Sequence, residues 1–102
     1  MKFDRTDSFK TDWRRLTDDE RALFRETVVR FHTAAEEQAA RPGQPWPASL
    51  RVKAIQGAPG IWEVTWSFAG PDGRATFEWV TIDNAPAIRW RRIGGHAVSD
   101  QP

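Results

Sequence analysis

At 102 residues, with 15 Lys and Arg against 14 Asp and Glu, six Trp, six Phe, no Tyr and no Cys, the chain is sized for one domain over residues 1–102 around a single hydrophobic core. A hydrophobic fraction of 39% with 12% aromatics excludes a disordered chain, and the lack of cysteine excludes disulfide scaffolds, thiolate zinc sites and thiol nucleophiles. The net charge of +1 is too small for a bulk basic field, so any nucleic-acid contact has to rest on where individual arginines point.

Residues 2–5 offer a short edge strand. Residues 7–16 read as a helix capped by Asp7 or Ser8, with Phe9, Trp13 and Leu16 on one face. Thr17-Asp18-Asp19-Glu20 has the spacing of a capping box and opens a second helix, whose apolar stripe is Leu23, Phe24, Val28, Phe31, Ala34 and Ala35. It runs to about Ala40 and is ended by Pro42-Gly43-Gln44-Pro45-Trp46-Pro47. So short a connection between the helices predicts an antiparallel hairpin. Beyond the prolines the period changes to two, over 50–55, 61–68, 74–82 and 87–93, with breaks at Gly57-Ala58-Pro59-Gly60, Gly70-Pro71-Asp72-Gly73 and Asn84-Ala85-Pro86. These four runs predict an antiparallel sheet, and 99–102 a frayed tail. No apolar run is long enough for a membrane span and residues 1–16 are too charged for a signal peptide, which makes the cytoplasm the expected location.

Alternation sorts the strands into two faces. Leu50, Val52, Ala54, Trp62, Val64, Trp66, Phe68, Ala75, Phe77, Trp79, Ile88 and Trp90 form an apolar face that should pack on the helices. The other face carries Arg51, Lys53, Glu63, Thr65, Ser67, Arg74, Thr76, Glu78, Arg89 and Arg91. The fold class is therefore α+β in two layers, with an uncovered, arginine-rich sheet face. That face reads either as ordinary solvated surface with cross-strand ion pairs or as a phosphate site, since arginine offers planar, bidentate donors.

Two histidines stand out. His32 reads as a helix-surface or core-edge residue. His96 follows Gly94-Gly95 after the strand bearing Arg89, Arg91 and Arg92, where a turn can bring an imidazole over the cationic face. No metal or cofactor is expected, because the chain has only two His, no Cys and no clustered Asp or Glu at ligand spacing. Phosphate-loop, dinucleotide and serine-elbow motifs are absent.

The order of these segments, with Leu50-Arg51-Val52-Lys53-Ala54-Ile55-Gln56-Gly57, Ile61-Trp62-Glu63-Val64-Thr65-Trp66-Ser67-Phe68, Gly73-Arg74-Ala75-Thr76-Phe77 and Ile88-Arg89-Trp90-Arg91-Arg92-Ile93-Gly94-Gly95-His96, resembles the RelE/ParE superfamily of bacterial type II toxins over nearly the whole chain. The resemblance implies a small α+β toxin held inactive by an antitoxin. In the RelE-like branch it implies metal-free cleavage of mRNA on the ribosome, and in the ParE-like branch, the alternative, binding of DNA gyrase. A binding module without toxicity is a further reading of the same residues.

Carried over by position, the resemblance puts Lys53 and Arg74 on the scissile phosphate with Arg91 or Arg92 as the late-strand basic residue, Arg91 being the one assigned to the phosphate charge, and makes His96 an acid or acid/base. Arg51, Arg89 and Arg92 join Glu63 and Glu78 as the substrate-binding set, with Glu63 or Glu78 the candidate base against a plain ion pair with arginine. The sequence departs from the pattern at Thr65, where many relatives carry arginine, and in having no Tyr.

Overall fold

Thr6 decides where β1 (Phe3–Arg5) gives way to α1 (Asp7–Arg15) in the computed structural model, which describes residues 1–67 and 72–102. Its hydroxyl accepts from the Phe9 amide at 3.1 Å and donates to the Arg91 carbonyl at 2.7 Å. Thr6 is thus the cap, one residue ahead of the expected Asp7 or Ser8, and it ties the helix start to β5 (Ala85–Gly94). α2 (Asp18–Ala40) begins as expected: Thr17 Oγ1 accepts the Glu20 amide at 3.1 Å and Glu20 Oε1 accepts the Thr17 amide at 2.8 Å. Between the helices, Arg21 donates to the Trp13 and Arg14 carbonyls, each at 3.2 Å, satisfying acceptors that the end of α1 leaves open. The helices meet through rings, Phe24 lying 6.1 Å from Phe9 and 5.8 Å from Trp13.

They cover one face of a five-stranded sheet in the order β1-β5-β4-β3-β2, where β2 is Lys53–Ala54, β3 Ile61–Ser67 and β4 Gly73–Ile82. The four expected strands are antiparallel neighbours, and β1 adds a fifth, parallel to β5, with Phe3 opposite Ile88 and Arg5 opposite Trp90. β4 (Gly73–Ile82) joins β5 through Asp83 and Asn84, both left-handed at φ 52° and 63°. Such a two-residue turn matches the twist of a hairpin, so β5 starts at Ala85 opposite Ile82, ahead of the expected 87.

β2 is shorter than the alternation over 50–55 suggests. Only Lys53–Ala54 pairs with β3 (Ile61–Ser67), because Ala48–Leu50 winds into a 3-10 turn and Arg51 turns left-handed at φ 48°. Leu50 still enters the core, whereas Ala54, placed on the apolar face by alternation, is exposed. Leu23, expected in the buried stripe, is 41% exposed. Phe68, Gly70 and Pro71 lie outside the described residues.

The core packs Val64, Trp66, Ala75, Phe77, Ile88 and Trp90 of the sheet against Phe9, Phe24, Phe31, Ala34 and Ala35 of the helices. Trp90 is its centre, with ring centroids 6.2 Å from Phe9, 5.3 Å from Phe24, 4.9 Å from Phe31 and 5.7 Å from Phe77. Next to it the register slips: Thr76 pairs with Arg92 but Phe77 with Trp90, so Arg91 is an extra residue, a β-bulge. Strict alternation would send Ile93 outward with Arg91. The bulge returns Ile93 to the core at 1% exposure and leaves Arg91 and Arg92 adjacent and half-buried.

His32 sits at the core edge, as one of its two expected placements has it, with its ring 5.3 Å from Phe3 and 5.9 Å from Phe31. Burial first, then the N-terminal amine, lowers its pKa from 6.5, opposed by Glu36. The unfolded chain therefore binds more protons just below pH 6.5 than the folded one. The stability of the neutral imidazole is fully present above 6.5 and is lost as pH falls through that window toward the lowered folded pKa. Urea denaturation across pH should show this decline, and His32→Gln should flatten it. A second check concerns Gly73, where a Cβ would lie 2.6 Å from Cδ2 and Cζ2 of the buried Trp66 indole. Gly73→Ala should cost about 1–3 kcal/mol by overpacking, read as a lowered denaturation midpoint.

Candidate functional site

The outer face of the sheet is built in cross-strand rows, neighbours within a row lying about 4.8 Å apart. One row runs Lys53, Glu63, Thr76, Arg92; the next runs Thr65, Arg74, Gly94; and on the other side of the first lie Ile61, Glu78 and Arg89. The face is not uncovered. Glu63, Thr65, Arg74 and Thr76 are 4, 2, 9 and 0% exposed. Their cover is the chain beyond β5, where His96–Asp100 forms a 3-10 turn packed on β4 and β5 in place of the expected frayed tail. Val98, buried at 8% exposure, is its plug and stands so close to Gly94 that a Cβ there would lie 3.0 Å from Val98 Cγ1. The turn is also tied polarly. Ser99 donates to Glu63 Oε2, Arg91 Nε to the Pro102 carbonyl at 2.9 Å, and Arg92 Nη1 to the Gln101 carbonyl at 3.0 Å.

Each cation singled out from the sequence has a carboxylate. Lys53 Nζ lies 3.2 Å from Glu63 Oε1, and Arg74 Nη2 lies 3.5 Å from Asp72, which Arg51 also approaches at 4.0 Å. Arg91 pairs with Glu78. Arg89 grips Asp4 of β1 through Nε at 3.0 Å and Nη2 at 3.1 Å, and that hydrogen bond raises its pKa. Arg92 reaches α1, with Nε 2.6 Å and Nη2 3.2 Å from the Asp12 carboxylate, which raises its pKa in the same way. The fold thus gathers Lys53, Glu63, Arg74 and Arg51 with Asp72, and Arg91 with Glu78. It sends Arg89 and Arg92 toward β1 and α1. His96 opens the tail turn, exposed, with no hydrogen bond or ion pair to a described residue.

Two buried donors are left over: Arg74 Nε and the Thr76 hydroxyl have no hydrogen-bond partner among the described residues. They sit two positions apart on one strand, facing the same way. A guanidinium and a hydroxyl in that relation can bind one tetrahedral oxyanion. Between the start of α1 and the tail, a polar cleft of about 240 Å³ borders Thr6, Ser8, Arg91 and Arg92. Among the described residues no three His, Cys, Asp or Glu side chains stand close enough to hold a metal ion, and no helix is long and apolar enough to cross a membrane.

Sequence reasoning missed Asp72, Ser99 and Asp12. Asp72 and Ser99 sit in segments whose polarity reads as turn and tail. Asp12 carried a signal, an acid beside Trp13 on the packed side of a short helix; it is 6% exposed and also accepts the Ile93 amide at 3.1 Å where β1 no longer covers the edge of β5. Asp12→Ala strands the Arg92 guanidinium and that amide. It should cost about 2 kcal/mol, below the usual loss for a fully buried pair because Arg92 is part-exposed, measured by urea denaturation.

No protein-family model matches the chain, and no curated protein sequence matches it. Among solved structures it is similar to the E. coli toxin RelE, an arginine-to-alanine double mutant in the free state, with TM-score 0.57 and 16% identity over 97% of this chain and 86% of that one. The chain therefore shares the fold of RelE, as the order of its segments implied.

Proposed function

We propose that the protein is the toxin of a type II toxin-antitoxin pair, a cytoplasmic, metal-free endoribonuclease that cleaves mRNA on the ribosome and is held inactive by a cognate antitoxin. One observation carries the reading: on the fold of RelE, the outer sheet face keeps Arg74 nearly buried, with its Nε and the neighbouring Thr76 hydroxyl lacking any acceptor from the described residues.

In this reaction the RNA 2′-oxygen attacks the adjacent phosphorus. The O2′–P bond forms as the P–O5′ bond breaks, leaving a 2′,3′-cyclic phosphate and a 5′-hydroxyl. Arg74, with Lys53 and Arg91, offsets the charge that builds on the phosphorane oxygens. Glu63 is the candidate base, taking the 2′-hydroxyl proton in place of its contact with Ser99, and His96 delivers a proton to O5′. Entry of a phosphate to Arg74 requires the turn at 96–100 to lift, which breaks the Ser99 and Arg91 contacts and exposes Val98.

A second reading, a non-enzymatic inhibitor of DNA gyrase, is favoured by the pairing of every candidate cation with a carboxylate, an arrangement that a protein-binding face also uses.

Arg74→Ala should lower cleavage by roughly 10²-fold, the loss of about 3 kcal/mol of transition-state stabilisation. Arg74→Lys, which keeps a cation under the tail, serves as the folding control. His96→Ala and His96→Gln should each cut cleavage by roughly 10²- to 10⁴-fold while leaving RNA binding nearly unchanged. The measurement is single-turnover cleavage of mRNA on ribosomes, with cyclic-phosphate ends scored, alongside growth arrest on expression. Full toxicity of a folded Arg74→Ala protein sinks the assignment. Growth arrest without RNA ends shifts it to gyrase, and failure to co-purify with the product of a neighbouring gene counts against the toxin reading as a whole.

A further inference from the structure

Three of the six tryptophans meet at a cleft that the outer face does not use. It lies between the end of α2, with the turn that follows it, and the β3–β4 part of the sheet, and its volume of about 660 Å³ is that of a ligand site. Trp46, Trp62 and Trp79 line it with Pro42 and Pro86, and all three indoles are part-exposed. The wall is held in place from two directions. Gln38 of α2 donates its side-chain amide to the Gln44 carbonyl, and Trp46 lies parallel on the fully buried Phe31, with centroids 5.4 Å apart and planes 6° from parallel. One face of Trp46 is thus fixed to the core and the other is turned away from it, beside Trp79 at 6.5 Å.

Charge and hydrogen bonding together specify an occupant. No charged residue among those described borders the cleft, in a chain that is 28% charged, so its complement is uncharged. A nucleic-acid strand, which needs a cationic groove beside its stacking rings, does not fit, and neither does an acidic or basic peptide. The indole N–H groups of Trp46, Trp62 and Trp79 make no hydrogen bond with any described residue, whereas the buried Trp66 indole donates to the Arg74 carbonyl at 2.9 Å. The cleft therefore offers donors and ring faces, with the Gln38 amide already spent on Gln44. A polyproline II segment is the matching backbone: its carbonyls are free acceptors, each proline has no N–H to satisfy, and its rings pack on aromatic ones with little ordering cost. We propose that the cleft bordered by Trp46, Trp62 and Trp79 is a docking site for an uncharged, proline-rich protein segment in the polyproline II conformation, prolines against the rings and carbonyls on the indole N–H groups. It shares no residue with the outer face and stands whether or not that face cleaves RNA.

The test uses the full chain and two end-capped, uncharged peptides of equal length, decaproline and an alternating Gly-Ser peptide, with the indole N–H resonances as the readout. Decaproline should bind with Kd below about 1 mM and the Gly-Ser peptide about tenfold more weakly, because only the first is ordered in advance. The resonances of Trp46, Trp62 and Trp79 should move, and those of Trp13, Trp66 and Trp90 should not. Thr81→Arg, at an exposed position bordering the cleft, should abolish binding without unfolding the chain. Trp62→Phe, which keeps a ring and removes the donor, should weaken it about fivefold, the worth of one hydrogen bond. Equal binding of the two peptides, or of decaproline to wild type and Thr81→Arg, overturns the proposal. So do shifts confined to other tryptophans, movement of the same three resonances by oligouridine, and no binding up to about 1 mM.

Discussion

Trp90 is the point from which both layers are built. Its indole is the ring that Phe9 of α1, Phe24 and Phe31 of α2 and Phe77 of β4 all touch, so the helix connection, the central hairpin and the first strand are referred to one side chain. Its backbone carbonyl accepts the Thr6 amide at 3.0 Å, where β1 turns into α1. Holding Trp90 inward forces a choice on the next three residues. With Ile93 also required in the core, two residues must fit between inward positions where a strand allows one, and the bulge at Arg91 is the result. The two arginines on the outer surface of β5 are therefore a consequence of aromatic packing on the other side of the sheet.

The bulge also explains why the outer face is closed. A half-buried arginine pair needs acceptors, and the chain after Gly95 supplies them as the Pro102 and Gln101 carbonyls while Val98 packs beside Gly94, opposite Arg74 at the start of β4. Burying Arg74 and Thr76 under this turn with donors unmet by the described residues carries a penalty of about 1–3 kcal/mol for each such group. A fold that only needed a lid could have avoided it with apolar residues at both positions. Unmet donors of this kind are what the proposed anion site would use.

The layers, the order of elements and most of the core were legible because they follow from periodicity. The capping box at Thr17, the stripe through Phe24 and Phe31, and the alternation through Val64, Trp66, Phe77 and Trp90 each state a face directly. What escaped was set by local breaks in period. Arg51 in a left-handed conformation cuts β2 to two residues, the bulge reassigns Ile93, and Asp83 and Asn84 adopt positive φ without a glycine to announce it. The candidate site was legible as a list and not as an arrangement. Residue types and alternation identified Lys53, Glu63, Arg74 and Arg91, but the partners that bury or pair them, Ser99, Asp72 and the tail carbonyls, come from segments with no period to read.

The pairing of the outer face bears on how any anion would be recognised there. Arg51, Lys53, Arg74 and Arg91 stand against Glu63, Asp72 and Glu78, so the face projects little net field and cannot draw a polyanion from beyond a Debye length of about 8 Å. Binding must proceed by exchange, each phosphate oxygen replacing a carboxylate oxygen already in place. Such an exchange nearly cancels in Coulomb energy, and what remains is geometry: whether the incoming group also meets Arg74 Nε and the Thr76 hydroxyl, which no carboxylate of the described chain reaches. A site of this kind discriminates at contact and not at a distance, and it favours an anion delivered already oriented over one that arrives by diffusion.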